Sequence, residues 1–379
     1  MSQMRAVLIR DGKGPAENLY IGEAPKPTPN ANQVLVKIKA FGLNRMDIYQ
    51  RLGHYPPPAG SSTILGVEFS GHIAQLGTAV DSGWKVGDEV MGLAGGGAYA
   101  EFIVLPHTHI MPKPAHLSWV EAACVPECFI TAYQALVLYG EVKKDEDVLV
   151  HAGASGVGLA VIHLARLYGA HSIIATASSK EKLDFLLNIP NGATHGVNYR
   201  TQDFAEEAKK ITNKGVDVVI DFVGQSHWTK NIDAMALDGR MTMLATLSGS
   251  TVESFDLRPI LYKRLRIQGS TLRSRSESYQ ADLIQRFSKD VVPHITGEKG
   301  DGPVKVYIHK VYSWTEIQEA HKEMESNQNM SVLCPICSIQ RLNASIPSAV
   351  RSFPLLIRNV LNYSRCTSEE HCNVTHSPP

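Results

Sequence analysis

The stretch Val148-Leu-Val-His151-Ala-Gly153-Ala-Ser155-Gly156-Val-Gly158 decides how the chain is read. Three apolar residues run into a tight, glycine-rich turn, and an apolar helix pattern continues from Val157 to Tyr168. A strand, a turn and a helix in that order leave free amides and a partial positive charge at the helix N-terminus, where a pyrophosphate binds. Glycines there let the backbone approach the phosphates and let the helix pack on its strand. The spacing is a variant of Gly-x-Gly-x-x-Gly with Ser155 at the middle glycine. Alone, such a motif also fits a merely structural turn, so its surroundings have to decide.

Those surroundings favour a dinucleotide site. After it, apolar runs at Ser172–Ala177, Val216–Phe222, Arg240–Leu247 and Leu265–Gly269 read as strands, and Lys180–Leu187 as a helix. Strands alternating with helices predict a parallel, doubly wound sheet with helices on both faces. Before it, residues 1–125 are strand-like and rich in Gly and Pro. Gln33–Ala40 alternates apolar and polar residues, Gly71–Ala79 and Asp88–Leu93 are further strand candidates, and Pro56–Pro58 and Gly95–Gly97 mark loops. Residues 275–325 hold two more helix patterns and a strand at Val304–Ile308. The fold class is therefore α/β, a Rossmann domain beside a β-rich domain.

Composition narrows the function. The chain has 379 residues, 44% of them hydrophobic, and its 37 Lys and Arg cancel 37 Asp and Glu. Zero net charge argues against a whole-chain electrostatic footprint for nucleic acid or an anionic membrane. The hydrophobic content excludes a mainly disordered protein. The longest uncharged stretch, Val148–Ala165, approaches the ~18 residues of a membrane span, but its histidines and glycines suit the strand-turn-helix. The first residues lack the apolar core of a signal peptide. A cytoplasmic location with reduced thiols is the expectation.

The second strand of the series selects the cofactor. NAD enzymes usually end it with an acidic residue that holds the adenosine ribose. Here it ends Ala175-Thr-Ala-Ser178-Ser179, followed by Lys180 and Lys182. Two hydroxyls and a lysine can hold a 2′-phosphate through charge-assisted hydrogen bonds. A plain helix N-cap followed by solvated lysines is the alternative. NADPH is expected.

A zinc site is not. Catalytic zinc needs about three His, Cys or carboxylate ligands. The β-rich part offers His54, His72, His107, His109 and His116 but no cysteine before Cys124, and His107-Thr-His109 suits a loop.

In chain order, Leu43-Asn44-Arg45-x-Asp47, the Tyr55-Pro-Pro-Pro loop, Gly66-x-Glu68-x-Ser70-Gly71, Lys85-x-Gly87-Asp88, the glycine loop, Asn198-Tyr199-Arg200, Asp221-x-x-Gly224, Leu237-Asp-Gly-Arg240 and Glu316-Ile-Gln-Glu-Ala-His321 together resemble the zinc-free quinone oxidoreductases of the medium-chain dehydrogenase/reductase superfamily. The similarity is greatest to their tumour-suppressor-inducible, zeta-crystallin-like branch. The resemblance spans residues 4–330. It implies a GroES-like catalytic domain in residues 1–125 and 268–330, a Rossmann domain in 126–267, and NADPH in the cleft between them. It places Asn44 and Thr131 near the nicotinamide, and Ser178, Ser179, Lys182 and Tyr199 around the 2′-phosphate. Gly153, Ala154, Ser155, Gly156 and Val157 of the glycine loop, with Leu247 and Ser270, complete the expected cofactor contacts. Tyr55, Ser155 and Asn44 are the expected catalytic positions, with Tyr55 and Ser155 handling a quinone. The same resemblance implies a homodimer. It leaves open reduction of activated C=C bonds in 2-alkenals or enones, and a minor reading as a non-catalytic NADPH- or RNA-binding protein.

The last 49 residues, 331–379, depart from this pattern. They lack lysine and hold four of the six cysteines, Cys334, Cys337, Cys366 and Cys372. The cysteines suggest a zinc knuckle with one wrong spacing, a redox pair, or an extension from an imperfect gene model. All four Asn-x-Ser/Thr sequons, at Asn329, Asn343, Asn362 and Asn373, fall at or near this tail and are expected to stay unmodified. On this reading the family's terminal strand is lost, and deletion after residue 331 leaves NADPH binding intact.

Overall fold

Val148–Val150, fully buried, lies inside a six-stranded sheet in the computed structural model, which describes residues 2–81 and 83–336. The strand order is His195–Asn198, Ile173–Ala177, Val148–Val150, Val216–Asp221, Met235–Met243, Arg266–Gly269. Every pair in it is parallel. In sequence terms that is the order 3-2-1-4-5-6 of a Rossmann sheet, and its ligand crevice lies where the order reverses, between Val148–Val150 and Val216–Asp221. Both strands are buried nearly throughout, as parallel strands covered by helices on two faces must be.

The helix Gly156–Leu167 starts where the sequence pattern predicts and buries eight residues from Gly158 to Ala165. Ser155 caps it: its Oγ accepts Gly158 N–H at 3.0 Å, an arrangement worth about 1 kcal/mol. Gly158 is needed for close approach, because a Cβ there would lie 2.4 Å from the Ala152 carbonyl oxygen.

A seven-stranded, mostly antiparallel sheet makes the other lobe. Gln33–Phe41 pairs with both Glu68–Leu76 and Phe102–Pro106, and Glu68–Leu76 continues to Glu89–Leu93 and Ile110–Pro112. A core including Phe41, Phe69, Tyr99 and Trp314 fills this lobe.

Several boundaries move for local reasons. The strand expected over Arg240–Leu247 ends at Met243, because Leu244 and Leu247 turn to donate to the carbonyls of Asp221 and Phe222. The single strand expected at Val304–Ile308 is two, Val304–Lys305 and Ile308–Ser313.

The larger correction concerns the tail. Val332–Ile336 forms the strand that the departure from the family pattern had seemed to remove. It runs parallel to Ile308–Ser313 and meets Gln33–Phe41 at Ile336 and Ala40. Leu333 and Cys334 are fully buried. Ser331 N–H donates to the Ala154 carbonyl at 2.8 Å, and the Val332 side chain abuts Gly156. The divergent letters Val332-Leu-Cys-Pro-Ile336 are a continuous apolar run, buried over its first four residues, and the fold extends at least to Ile336. Deletion after residue 331 would strip a strand that touches the glycine loop. Cys337, Cys366, Cys372 and the sequons at Asn343, Asn362 and Asn373 lie outside the described residues.

Candidate active site

The glycine loop leaves Val150 through buried His151 and Ala152, whose φ is +45°. Gly153 N–H donates to the Thr176 carbonyl at 3.0 Å, tying the loop to the second strand. The loop therefore opens at the helix N-terminus, the geometry that receives a dinucleotide pyrophosphate. Ser155 Oγ is used as an acceptor by the cap, which leaves its O–H free to donate.

Beyond the second strand, Ser179 caps the helix Lys180–Asn188. The two lysines that follow point differently. Lys180 is exposed and pairs with Asp184 at 2.6 Å. Lys182 is half-buried and donates to the Asn327 carbonyl at 2.7 Å. Asn327 Oδ1 in turn accepts from Arg45 Nη2 at 2.6 Å. Burial holds the Lys182 ammonium below its ordinary pKa, and Arg45 and Arg200 lower it further. Tyr199 is exposed beside the His227 ring, at 5.5 Å between centroids.

Asn44 opens the helix Arg45–Arg51 in the catalytic lobe. Its N–H donates to Asp47 Oδ2 at 2.9 Å and its side-chain amide to Glu68 Oε1 at 2.8 Å. Glu68 Oε2 accepts Glu127 N–H at 2.8 Å. Thr131 Oγ1 lies 3.5 Å from Glu127 Oε1, and the Cys128 thiol 4.0 Å from Asn44 Oδ1. Burial is the main cause that pushes Glu68 up to about 8, Glu127 to about 7 and Asp47 to about 6. Glu68 thus carries its proton at neutral pH and can stay buried without a counter-ion.

Tyr55 is half-buried with the Arg273 guanidinium 5.5 Å from its ring centre. Arg273 donates to the Gly95 carbonyl and, at 2.7 Å, to Gln50 Oε1.

The expected residues do not all share one setting. Asn44 and Thr131 are linked through Glu68 and Glu127, and Cys128, near Asn44, also packs against Gly156 of the glycine loop. Ser270 is buried, its hydroxyl donating to Gln134 Oε1 at 3.1 Å. Leu247 is 51% exposed. Sequence reading passed over Glu68, Glu127, Arg45 and Asn327. Arg45 and Glu68 stood inside quoted motifs, but their partners lie 282 and 59 positions away along the chain.

Among the described residues, no group of three or more His, Cys, Asp or Glu is arranged to hold a metal ion. Both Glu68 oxygens accept N–H bonds, from the Asn44 side chain and the Glu127 backbone.

Two family descriptions match the chain: "Alcohol dehydrogenase GroES-like domain" over residues 30–115 and "Zinc-binding dehydrogenase" over 156–289. Human quinone oxidoreductase is 31% identical over 325 residues, 85% of this chain and 94% of that protein. The synaptic vesicle membrane protein VAT-1 homolog of Danio rerio is 29% identical over 318 residues, and the match spans 80% of this chain but only 64% of that protein. Among solved structures, the CurK enoyl reductase is 30% identical with a TM-score of 0.75, covering 89% of this chain and 99% of that one. An NAD-dependent alcohol dehydrogenase matches equally well, at 30% and 0.75, over 88% and 100%. A mycobacterial protein complexed with NADPH is 26% identical, with a TM-score of 0.73 over 88% and 100%. The chain belongs to the medium-chain dehydrogenase/reductase superfamily, with quinone oxidoreductases among its relatives. It is an oxidoreductase of the class that binds a nicotinamide cofactor.

Proposed function

We propose that this protein is an NADPH-dependent, zinc-independent quinone oxidoreductase that works as a cytoplasmic homodimer. The observation that carries the reading is Lys182: it is half-buried, donates to the Asn327 carbonyl, and follows a second strand, Ile173–Ala177, after which come Ser178 and Ser179 and no carboxylate at the strand's end. The glycine loop and the N-terminus of Gly156–Leu167 would hold the pyrophosphate, and Ser178, Ser179, Lys182 and Tyr199 the 2′-phosphate. Asn44 and Thr131 would flank the nicotinamide, which supplies the hydride when bound.

The chain's own part is alignment. Glu68 fixes the Asn44 amide; Tyr55 and Ser155 present O–H donors to a substrate carbonyl. Orientation and exclusion of water carry most of the rate enhancement when the cofactor does the electron chemistry. A second reading, reduction of the C=C bond of 2-alkenals or enones, draws on the enoyl reductase neighbour.

Cofactor fluorescence tests the proposal. NADPH is expected to bind about 100-fold more tightly than NADH, roughly 3 kcal/mol, and Lys182→Ala to erase the difference. Equal binding of both by the native protein overturns the cofactor assignment. Turnover of ortho-quinones against 2-alkenals then separates the two substrate readings.

A further inference from the structure

Arg45 and Lys182 converge on Asn327, Arg200 lies near enough to Lys182 to disfavour its charge, and among the described residues none of the three forms an ion pair with a carboxylate. Other cations have carboxylate partners at hand: Lys180 has Asp184, Arg240 has Glu146, Arg266 has Glu141. Lys182 and Arg45 instead grip two oxygens of the same residue, the carbonyl and Oδ1 of Asn327, at 2.7 and 2.6 Å. Both cationic tips therefore lie within one residue's width of each other. Burial disfavours the charge on each of them; for Lys182 the neighbouring Arg45 and Arg200 add to the cost, while for Arg45 Tyr49 and the Glu325 carboxylate, itself paired with Arg51, offset part of it. A neutral amide residue compensates two cations poorly; a dianion forms charge-assisted bonds about twice as strong.

The chain origins of the three matter. Arg45 is the first residue of the helix Arg45–Arg51 in the catalytic lobe. Lys182 lies in the first turn of Lys180–Asn188, and Arg200 follows the strand His195–Asn198 of the Rossmann sheet. Asn327 belongs to the segment between the helix Ile317–Glu325 and the strand Val332–Ile336. An anion held here touches both lobes.

We propose that Arg45, with Lys182 and Arg200, forms a clamp for a phosphomonoester dianion, so that the adenosine 2′-phosphate is gripped from the catalytic lobe as well as from the Rossmann sheet. This rests on the NADPH reading above. Asn327 holds the two cations in place until the phosphate takes over their bonds. A cofactor lacking that phosphate leaves the cations uncompensated and draws no contribution from Arg45.

The test is fluorescence titration of the full chain with NADPH and NADH, and displacement of NADPH by adenosine 2′-monophosphate, for the native protein, Arg45→Gln, Arg45→Lys and Lys182→Ala. Arg45→Gln is expected to weaken NADPH and adenosine 2′-monophosphate at least tenfold, to leave NADH within twofold, and to flatten the salt dependence of NADPH binding. Arg45→Lys should restore part of the loss. If Lys182→Ala erases the NADPH preference while Arg45→Gln keeps it, the clamp is overturned and the NADPH reading stands. Equal weakening of NADPH and NADH by Arg45→Gln also overturns it, since Arg45 would then be only structural. A native protein without any NADPH preference overturns both.

Discussion

Asn44 Nδ2 sits 2.8 Å from Glu68 Oε1, so Asn44 is anchored by a buried carboxyl that forms no ion pair among the described residues. Burial pushes Glu68 up to about 8. A carboxyl with a raised pKa in the fold contributes its full stability below its unfolded value, about 4.3, and loses it as pH rises through the folded value. Between those limits the native protein should lose stability relative to Glu68→Gln, by on the order of 5 kcal/mol at most, spread over a titration shared with Glu127 and Asp47. Melting temperatures of the two proteins at pH 5, 6.5 and 8 check this. The gap should shift toward the variant as pH rises, and a constant gap would mean that Glu68 is ionised in the fold.

Ending the chain after Ser331 removes Val332–Ile336, including fully buried Leu333 and Cys334. A loss of about 4 kcal/mol or more follows from the Leu333 cavity and the lost ladder, or roughly 6 °C or more in melting temperature. Cofactor binding should fall with it, because Val332 packs against Gly156 of the glycine loop and Ser331, which bonds Ala154, becomes the chain end. A chain ending after residue 338 keeps all of these contacts and serves as the control. Unchanged melting of the shorter chain would show the strand to be dispensable.

Gly158→Ala places a Cβ 2.4 Å from the Ala152 carbonyl and 2.8 Å from that of Gly153, backbone atoms that cannot swing aside. The expected cost is about 2 kcal/mol, with cofactor affinity down at least tenfold. Gly269→Ala meets nothing within 4 Å and should change stability little. Calorimetric titration of both variants settles the comparison; normal affinity in Gly158→Ala would remove the glycine loop from the site.

Tyr55→Phe keeps the ring under Arg273 and removes only the hydroxyl. On the quinone reductase reading, kcat should drop about tenfold, the value of one hydrogen bond of about 1.4 kcal/mol. NADPH affinity should not move. Native kcat in this variant would take Tyr55 out of the chemistry.

The Rossmann half was legible because its signals are local. The apolar run Val148–Val150, the turn and the periodic helix sit within twenty residues of each other; Ser155, read as the motif's middle glycine, is also the helix cap, and Ser179 takes the N-cap role that stood as the alternative to phosphate binding. The network around Asn44 was not legible, since Glu68 and Glu127 acquire their character from burial and from each other. Arg45 is a similar case: in sequence it is one surface-like arginine, and only the return of the chain at Asn327 sets it beside Lys182. The tail misled for the opposite reason. Composition marks residues 331–379 as foreign, but a strand buried on both faces asks only for a short apolar run of suitable size, which Val332–Ile336 supply.

That strand has a consequence for how the molecule is made. Gln33–Phe41 meets its neighbour Val332–Ile336 about 300 residues later, at the pairing of Ala40 with Ile336. The Rossmann sheet between them uses only residues 148–269 and can close on the ribosome as soon as these have emerged. The first lobe starts synthesis earlier and finishes later. Until Ile336 emerges its sheet carries an open edge, and a loop of that length makes the final pairing slow. The vulnerable interval in the life of this chain is the wait between the closing of the second lobe and the arrival of the strand that completes the first.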